Sequence, residues 1–240
     1  MTDPVLDIQD LRVHFHTEEG EVRAVDGVSL TMRRGRVLAV VGESGCGKSV
    51  TSYAILRLVQ RPGRIVGGRI RFFPQEGGAV DITALAGDAD ELYRLRGGKI
   101  SMIFQEPMTA LSPVHTVGNQ ICEAILLHQP VTRRDAEVLA ARMLAKVGIP
   151  GPEQRLRQYP FEISGGMRQR VVIAMALVCN PEILIADEPT TALDVTIQAQ
   201  IVDIVKRLKS ELDMSIIWIT HDLGVVAGLA DRVMVMYAGF

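Results

Sequence analysis

Eight consecutive residues, Gly42-Glu43-Ser44-Gly45-Cys46-Gly47-Lys48-Ser49, satisfy the pattern G-x-x-x-x-G-K-[ST] without a gap. The chemistry this spacing supports is capture of a phosphate chain. Glycines let successive backbone N–H groups turn inward around an anion, and a helix that starts at the last residues points its positive end at the same place. Lys48 would reach the β- and γ-phosphates of a nucleotide, and the Ser49 hydroxyl would ligate Mg²⁺. The alternative is a glycine-rich turn that binds nothing. The flanks argue against it: Val37–Val41 reads as a buried strand, and residues 50–58 read as a helix. Cys46 occupies a position the pattern leaves free, and no chemistry is assigned to it.

Further polar residues stand where apolar runs end. Residues 183–186 are apolar and lead into Asp187-Glu188. Beside a phosphate loop, Asp187 would hold Mg²⁺ through its water shell and Glu188 would orient or deprotonate an attacking water; otherwise they are two solvated acids. The apolar stretch 99–104 ends in Gln105-Glu106-Pro107. Gln105 is either a ligand contact at a strand's carboxyl end or a solvated loop residue, and Pro107 stops regular structure soon after it. Ser164-Gly165-Gly166-Met167 precedes the apolar helix 171–179. It is either a second anion site or an ordinary helix cap with a flexible entry. His221 follows an apolar strand over 215–220; it is either structural or a γ-phosphate contact. Asp194, near the start of a long helix, is a candidate cap.

These residues need elements to hold them. Leu6, Ile8, Leu11, Val13 and Phe15 alternate with polar residues, a strand signal. Phe15 is either core or an exposed aromatic that stacks on a base. A second extended stretch spans 22–32. Residues 59–81 are rich in Gly, Pro and Arg, with a short strand over 69–73, and 84–96 form a weak helix. Between 116 and 180 strand signals vanish. Helices are expected over 117–128 and 135–147, the second with Leu139, Met143 and Val147 on one face and a capping box at Thr132 to Asp135. After Asp194, Ile197, Ile201, Ile204, Val205, Leu208 and Leu212 form one stripe of a helix that packs on a sheet. A last strand covers 233–237. The expectation is an α/β fold: a parallel-sheet core whose carboxyl edge gathers the phosphate loop, Gln105, Asp187-Glu188 and His221, with an inserted helical subdomain.

Composition narrows the setting. The 240 residues are 48% hydrophobic and 22% charged, an ordinary globular balance with ample core. A net charge of −2 gives no nucleic-acid footprint. Cys46, Cys122 and Cys179 lack metal-ligand spacing, so a reduced, cytosolic setting is expected. No signal peptide is visible in the polar N-terminus, and no apolar run approaches the ~20 residues of a membrane span. Work at a membrane would need spans supplied by partners.

Taken in order, these motifs resemble the ATP-binding cassette family over nearly the whole chain. The resemblance makes Gly42 to Ser49, with Val50, the phosphate loop, Gln105 the Q-loop, Ser164-Gly165-Gly166-Met167 the signature, Asp187 and Glu188 the end of the Walker B strand, Asp194 the end of the D-loop and His221 the switch histidine. Phe15 falls where the family stacks an aromatic on adenine. What this implies is a P-loop core with an N-terminal antiparallel β-subdomain over 1–115 and 181–240 and a helical signature subdomain over 116–180. ATP and Mg²⁺ would bind, with Ser49, Gln105 and Asp187 around the metal and Glu188, Gln105 and His221 catalytic. Ser164, Gly165, Gly166, Met167 and Asp194 would contact ATP held by a second, head-to-tail ATPase subunit.

Within the family the chain is similar to the ATPase subunits of oligopeptide and dipeptide importers. The residues that carry this are Met102-Ile103-Phe104-Gln105-Glu106-Pro107-Met108, Leu111-Ser112-Pro113-Val114 and Ser164 through Arg170. Ile163 and Met167 stand where the general signature has Leu and Gln, Met167 being usual in this branch, and Thr191 stands where Ser is commoner. The branch implies two membrane permease subunits, a partner ATPase that is often a different chain, an extracytoplasmic peptide-binding protein acting indirectly, no nucleic acid, and a peripheral place on the cytoplasmic face of the inner membrane. Relatives continue into a C-terminal tail, in many cases with clustered cysteines, and that tail is expected to be missing here. Two other readings stay open: a non-transport ATPase of the same fold acting on ribosomes or DNA, and a cassette that senses ATP without cleaving it.

Overall fold

The computed structural model describes residues 3–105, 110–191 and 193–240. In chain order the elements are β1 (Pro4–Thr17), β2 (Gly20–Arg33), β3 (Val37–Val41), α1 (Lys48–Ile55), β4 (Gly63–Phe72), β5 (Val80–Asp81), α2 (Asp90–Leu95) and β6 (Ile100–Ile103). They continue with α3 (Val117–His128), α4 (Arg133–Lys146), α5 (Pro152–Arg155), α6 (Gly165–Leu177), β7 (Ile183–Asp187), α7 (Val195–Leu212), β8 (Ser215–Ile219), α8 (Leu223–Leu229) and β9 (Arg232–Val235). The chain forms two compact units, residues 1–96 with 214–240 and residues 97–213.

The first unit combines an antiparallel sheet, in the order β2-β1-β4-β5, with parallel pairings of β3 to β8 and to β9. Strand β1 buries Val5, Leu6, Ile8, Leu11 and Val13, its alternation interrupted by register shifts between Pro4 and Leu6 and between Ile8 and Leu11. Strand β3 is buried at all five positions, as a parallel strand covered on both faces must be. Asp231 begins its pairing: the Val37 N–H donates to Asp231 Oδ2 at 2.7 Å.

Three expectations are corrected in this unit. The strand expected over 69–73 starts at Gly63, because β4 pairs with β1 from Phe15↔Gly63 to Leu6↔Phe72. The register shifts where Asp10 and Gly68 both take positive φ, 48° and 86°. A Cβ on Gly68 would run into the Asp10 backbone, so glycine marks a close approach inside a sheet rather than a loop. The helix expected over 50–58 ends at Ile55. Arg57 turns left-handed (φ 54°), and the Arg96 guanidinium donates to the Leu56 and Arg57 carbonyls, both at 2.8 Å, occupying acceptors that a longer helix would use. The weak helix expected over 84–96 is only Asp90–Leu95; a 3₁₀ turn at Ile82–Ala84, capped by Asp81, precedes it.

The second unit pairs β6 and β7 in parallel and surrounds them with helices. Helix α3 has the expected bounds, and Thr132 and Asp135 form the expected capping box of α4. The buried face of α4 is Ala136, Ala140, Met143 and Leu144, followed by Val147. Leu139, expected on it, is half exposed, one step around the helix. On α7, Ile201, Ile204, Val205 and Leu208 are buried as the stripe predicts, while Ile197 and Leu212 are half exposed. Burial raises the thiol pKa of Cys122 and Cys179, keeping both protonated. Among the described residues no helix is long and apolar enough to cross a membrane, and no group of three or more His, Cys, Asp or Glu side chains is placed to hold a metal.

Candidate functional site

The phosphate loop leaves β3 at Val41 and enters α1 at Lys48. Its glycines differ in what demands them. Gly42 and Gly47 have φ of 158° and 100°. A Cβ on Gly42 would strike the Met236 carbonyl, and one on Gly47 the Ala24 carbonyl. Gly45 (φ 79°) has open space around it, so only its conformation asks for glycine. Gly47 is the N-cap of α1, and no described side chain caps the helix start. The first-turn N–H groups therefore have no side-chain acceptor of their own and suit an anion.

Lys48 is only 6% exposed, and its ammonium donates to the Gly42 and Glu43 carbonyls at 2.8 and 2.7 Å. The loop thus curls around its own cation. Ser49 and Val50 are half exposed on the first turn, and Glu43, Ser44 and Gly45 are exposed. Cys46 is buried, its Sγ 3.7 Å from the Lys48 ammonium.

The segment after β9 buttresses this loop, a role with no motif to announce it. The Met236 N–H donates to the Val41 carbonyl at 2.8 Å, and the Gly239 N–H to the Cys46 carbonyl at 3.2 Å. The Gly239 carbonyl in turn accepts from the Asp26 N–H at 2.8 Å.

His221 belongs to the same unit. Strands β3 and β8 are parallel with Val40 opposite Ile219, so the phosphate loop and His221 leave the same carboxyl edge. His221 is exposed, and Asp222 beside it caps α8, a helix the sequence reading did not anticipate. Its signal was an Asx cap: Asp222 Oδ1 accepts from the Gly224 N–H at 2.8 Å and from the Val225 N–H at 3.4 Å. Phe15, in this unit too, is half exposed near the end of β1, its ring where a Cβ on Gly63 would fall. It is neither full core nor a free aromatic.

In the second unit, Ile103 of β6 lies opposite Ala186 of β7, so Gln105 and Asp187-Glu188 leave one carboxyl edge. Gln105 is exposed. Glu106, Pro107 and Met108 lie outside the described residues, as does Ala192 between Thr191 and Leu193. Asp187 is fully buried at the end of β7. Glu188 is half buried and takes φ 47°, a left-handed conformation that costs a non-glycine residue roughly 1–2 kcal/mol. Thr191 accompanies it: its N–H donates to the Glu188 carbonyl at 3.2 Å and its hydroxyl to Glu188 Oε2 at 2.9 Å.

Ser164 is the N-cap of α6 and accepts from the Met167 N–H at 3.4 Å. It is exposed, and Gly165, Gly166 and Met167 are half buried, so this helix start is partly accessible. Two residues further on, Gln169 is fully buried and its amide donates to the Pro189 carbonyl. Arg170 is a structural residue: it donates to the Val147 and Gly148 carbonyls, both at 3.1 Å, and to Gln200 Oε1 at 2.8 Å. Asp194 caps α7 through the Ile197 N–H at 2.9 Å and remains exposed.

The donor sets suit the groups the sequence points to. A curled lysine at an open helix start fits a nucleotide's phosphates. A serine hydroxyl on the first turn of α1 and a buried carboxylate at the end of β7 are both hard oxygen donors of the kind Mg²⁺ takes.

Comparison with known proteins agrees in kind. Residues 25–191 match the family described as "ABC transporter". The chain is 54% identical to the dipeptide transport ATP-binding protein DppD of Bacillus subtilis, over 99% of this chain and 69% of that protein. It is also 54% identical to the oligopeptide transport ATP-binding protein OppD of the same organism, over 98% of this chain and 64% of that protein. Among solved structures, a dimeric post-hydrolysis state of the ATP-binding cassette MJ0796 bound to ADP and Pi superimposes with a TM-score of 0.83 at 26% identity. That match covers 98% of this chain and 95% of the other.

Proposed function

Because the chain belongs to the ABC transporter family, we propose that it is the ATP-hydrolysing subunit of an importer of di- or oligopeptides. The observation that carries the reading is the phosphate loop itself. A buried lysine folded onto its own carbonyls, at a helix start without a side-chain cap, is organised for a triphosphate. Relatives named for dipeptide and oligopeptide transport supply the cargo class. They give no support to a non-transport role on ribosomes or DNA.

The roles follow from position. Lys48 exchanges the Gly42 and Glu43 carbonyls for phosphate oxygens, and the N–H groups at the start of α1 bind the same chain of charge. Ser49, Gln105 and Asp187 are the residues that would hold Mg²⁺; the ion, when bound, neutralises charge on the β- and γ-phosphates. Glu188 accepts the proton of the attacking water, His221 contacts the terminal phosphoryl group, and Phe15 stacks on the base. Ser164, Gly165, Gly166, Met167 and Asp194 complete the site of a second, head-to-tail ATPase subunit, in this branch often a different chain. That dimer would sit on two permease subunits at the cytoplasmic face of the inner membrane, fed by an extracytoplasmic peptide-binding protein. The exposed start of α6 supports this assignment.

The test is Glu188→Gln. It should keep ATP binding and lower turnover by roughly 10²–10⁴-fold, the range of general-base contributions. Hydrolysis at the parent rate would remove Glu188 from that role. Co-expression with permease subunits should move the chain from the soluble to the membrane fraction; unchanged partitioning would count against the transporter assignment.

A further inference from the structure

A base held in a left-handed conformation needs neighbours that keep it there. Residues 188–191 show which ones. The chain leaves β7 at Asp187, turns left-handed at Glu188, and closes a four-residue turn through the Thr191 N–H and the Glu188 carbonyl. The Thr191 hydroxyl then reaches back 2.9 Å to Glu188 Oε2, so one residue fixes both ends of the glutamate. Inside the turn, the Pro189 carbonyl accepts from the amide of Gln169, a side chain with no exposed surface. Pro189 and Thr190 are buried, whereas Thr191 is exposed. Gln169 sits on α6, less than two turns from the Ser164 cap, so the helix that begins with Ser-Gly-Gly is bonded directly to the turn that carries Glu188.

We propose that Thr191 and Gln169 are positioning residues for ATP hydrolysis: the Thr191 hydroxyl orients the Glu188 carboxylate, and Gln169 locks the turn to α6. This rests on the reading of Glu188 as the base. A carboxylate can take a proton only from a water within hydrogen-bond reach. A glutamate free to change rotamer would spend much of its time elsewhere. Gln169 adds a consequence: a shift of the Ser164 end of α6 is passed to the base through a single buried bond, without crossing a flexible loop.

The experiment measures ATP turnover in the transporter assembled with its permease subunits. Thr191→Val keeps a β-branched side chain at an exposed position and deletes the hydroxyl. It should lower kcat by about 10-fold or more, as expected for a hydrogen bond to a charged group, with KM for ATP within about twofold. Thr191→Ser should restore the parent kcat. In a Glu188→Gln background, Thr191→Val should cost nothing further, because the group it orients is gone. Gln169→Met should lower kcat at unchanged ATP affinity, which a general loss of folding would not do. Parent kcat in Thr191→Val, alongside an inactive Glu188→Gln, would overturn the positioning role and leave the base assignment intact. Parent kcat in Glu188→Gln would overturn the base assignment instead.

Discussion

Two helices in this molecule begin with glycine and serine, and they begin differently. At α1 the glycines are demanded by the unit around them. Side chains at 42 and 47 would collide with the Met236 and Ala24 carbonyls, and the helix start carries no described side-chain cap. At α6 the helix caps itself with Ser164, and a Cβ on Gly166 would meet Ile197 at an ordinary 3.6 Å. Nothing described near Gly166 requires the absence of a side chain. The first start is shaped by its own fold, and under the proposed function it holds the chain's own nucleotide. At the second, the unit leaves room for a side chain at Gly166; under the proposed function, that room is kept for a nucleotide held by a partner subunit.

That contrast is open to direct attack. The largest effect is expected from Lys48→Ala, which removes the charge at the first start. ATP affinity should fall about 10- to 100-fold in a nucleotide titration, the worth of hydrogen bonds to a charged group. Unchanged binding would contradict the phosphate-loop reading.

Gly47→Ala should destabilise the protein by about 1–3 kcal/mol through overpacking and an unfavourable φ, seen as a lower denaturation midpoint. Gly166→Ala should do the reverse. Alanine suits the first turn of a helix better than glycine, by up to about 1 kcal/mol, so stability should hold or rise while ATPase activity in the assembled transporter drops. A Gly166→Ala protein that unfolds as readily as Gly47→Ala would erase the difference between the two starts.

The smallest effect belongs to Ser164→Ala. Loss of an N-cap costs about 0.5–2 kcal/mol, and the 3.4 Å bond to the Met167 N–H points to the low end. Its activity loss should exceed what that change in stability explains.

Several parts of this molecule were legible because local pattern and local physics coincide. The phosphate loop was marked by its glycine spacing and by the strand before it. Helix α3 was bounded as expected at 117 and 128, and the Thr132–Asp135 box opened α4. The acids at the end of β7 were marked by the apolar run before them. Other parts were hidden because their causes lie far along the chain. The first part of strand β4, residues 63–68, was not marked as strand, because its Gly- and Arg-rich text is explained only by pairing with β1 and the close approach at Gly68. The stop of α1 depends on Arg96, some forty positions later. Gln169 read as one more residue of the Ser164–Arg170 stretch, with no sign that it would hold the Pro189 carbonyl.

By itself, then, the sequence determined the chemistry on offer, the side-chain types suited to phosphate, metal and proton, and the strongly periodic runs such as β1, α3 and α7. Those properties follow from side-chain type and from periodicities of two and about 3.6 residues. Only the tertiary structure decided which glycines are compulsory, that residues 236–239 buttress the phosphate loop, and that Thr191 and Gln169 grip the turn at Glu188. Such contacts depend on distances between atoms remote in the chain or folded back across a turn, and no local pattern encodes them.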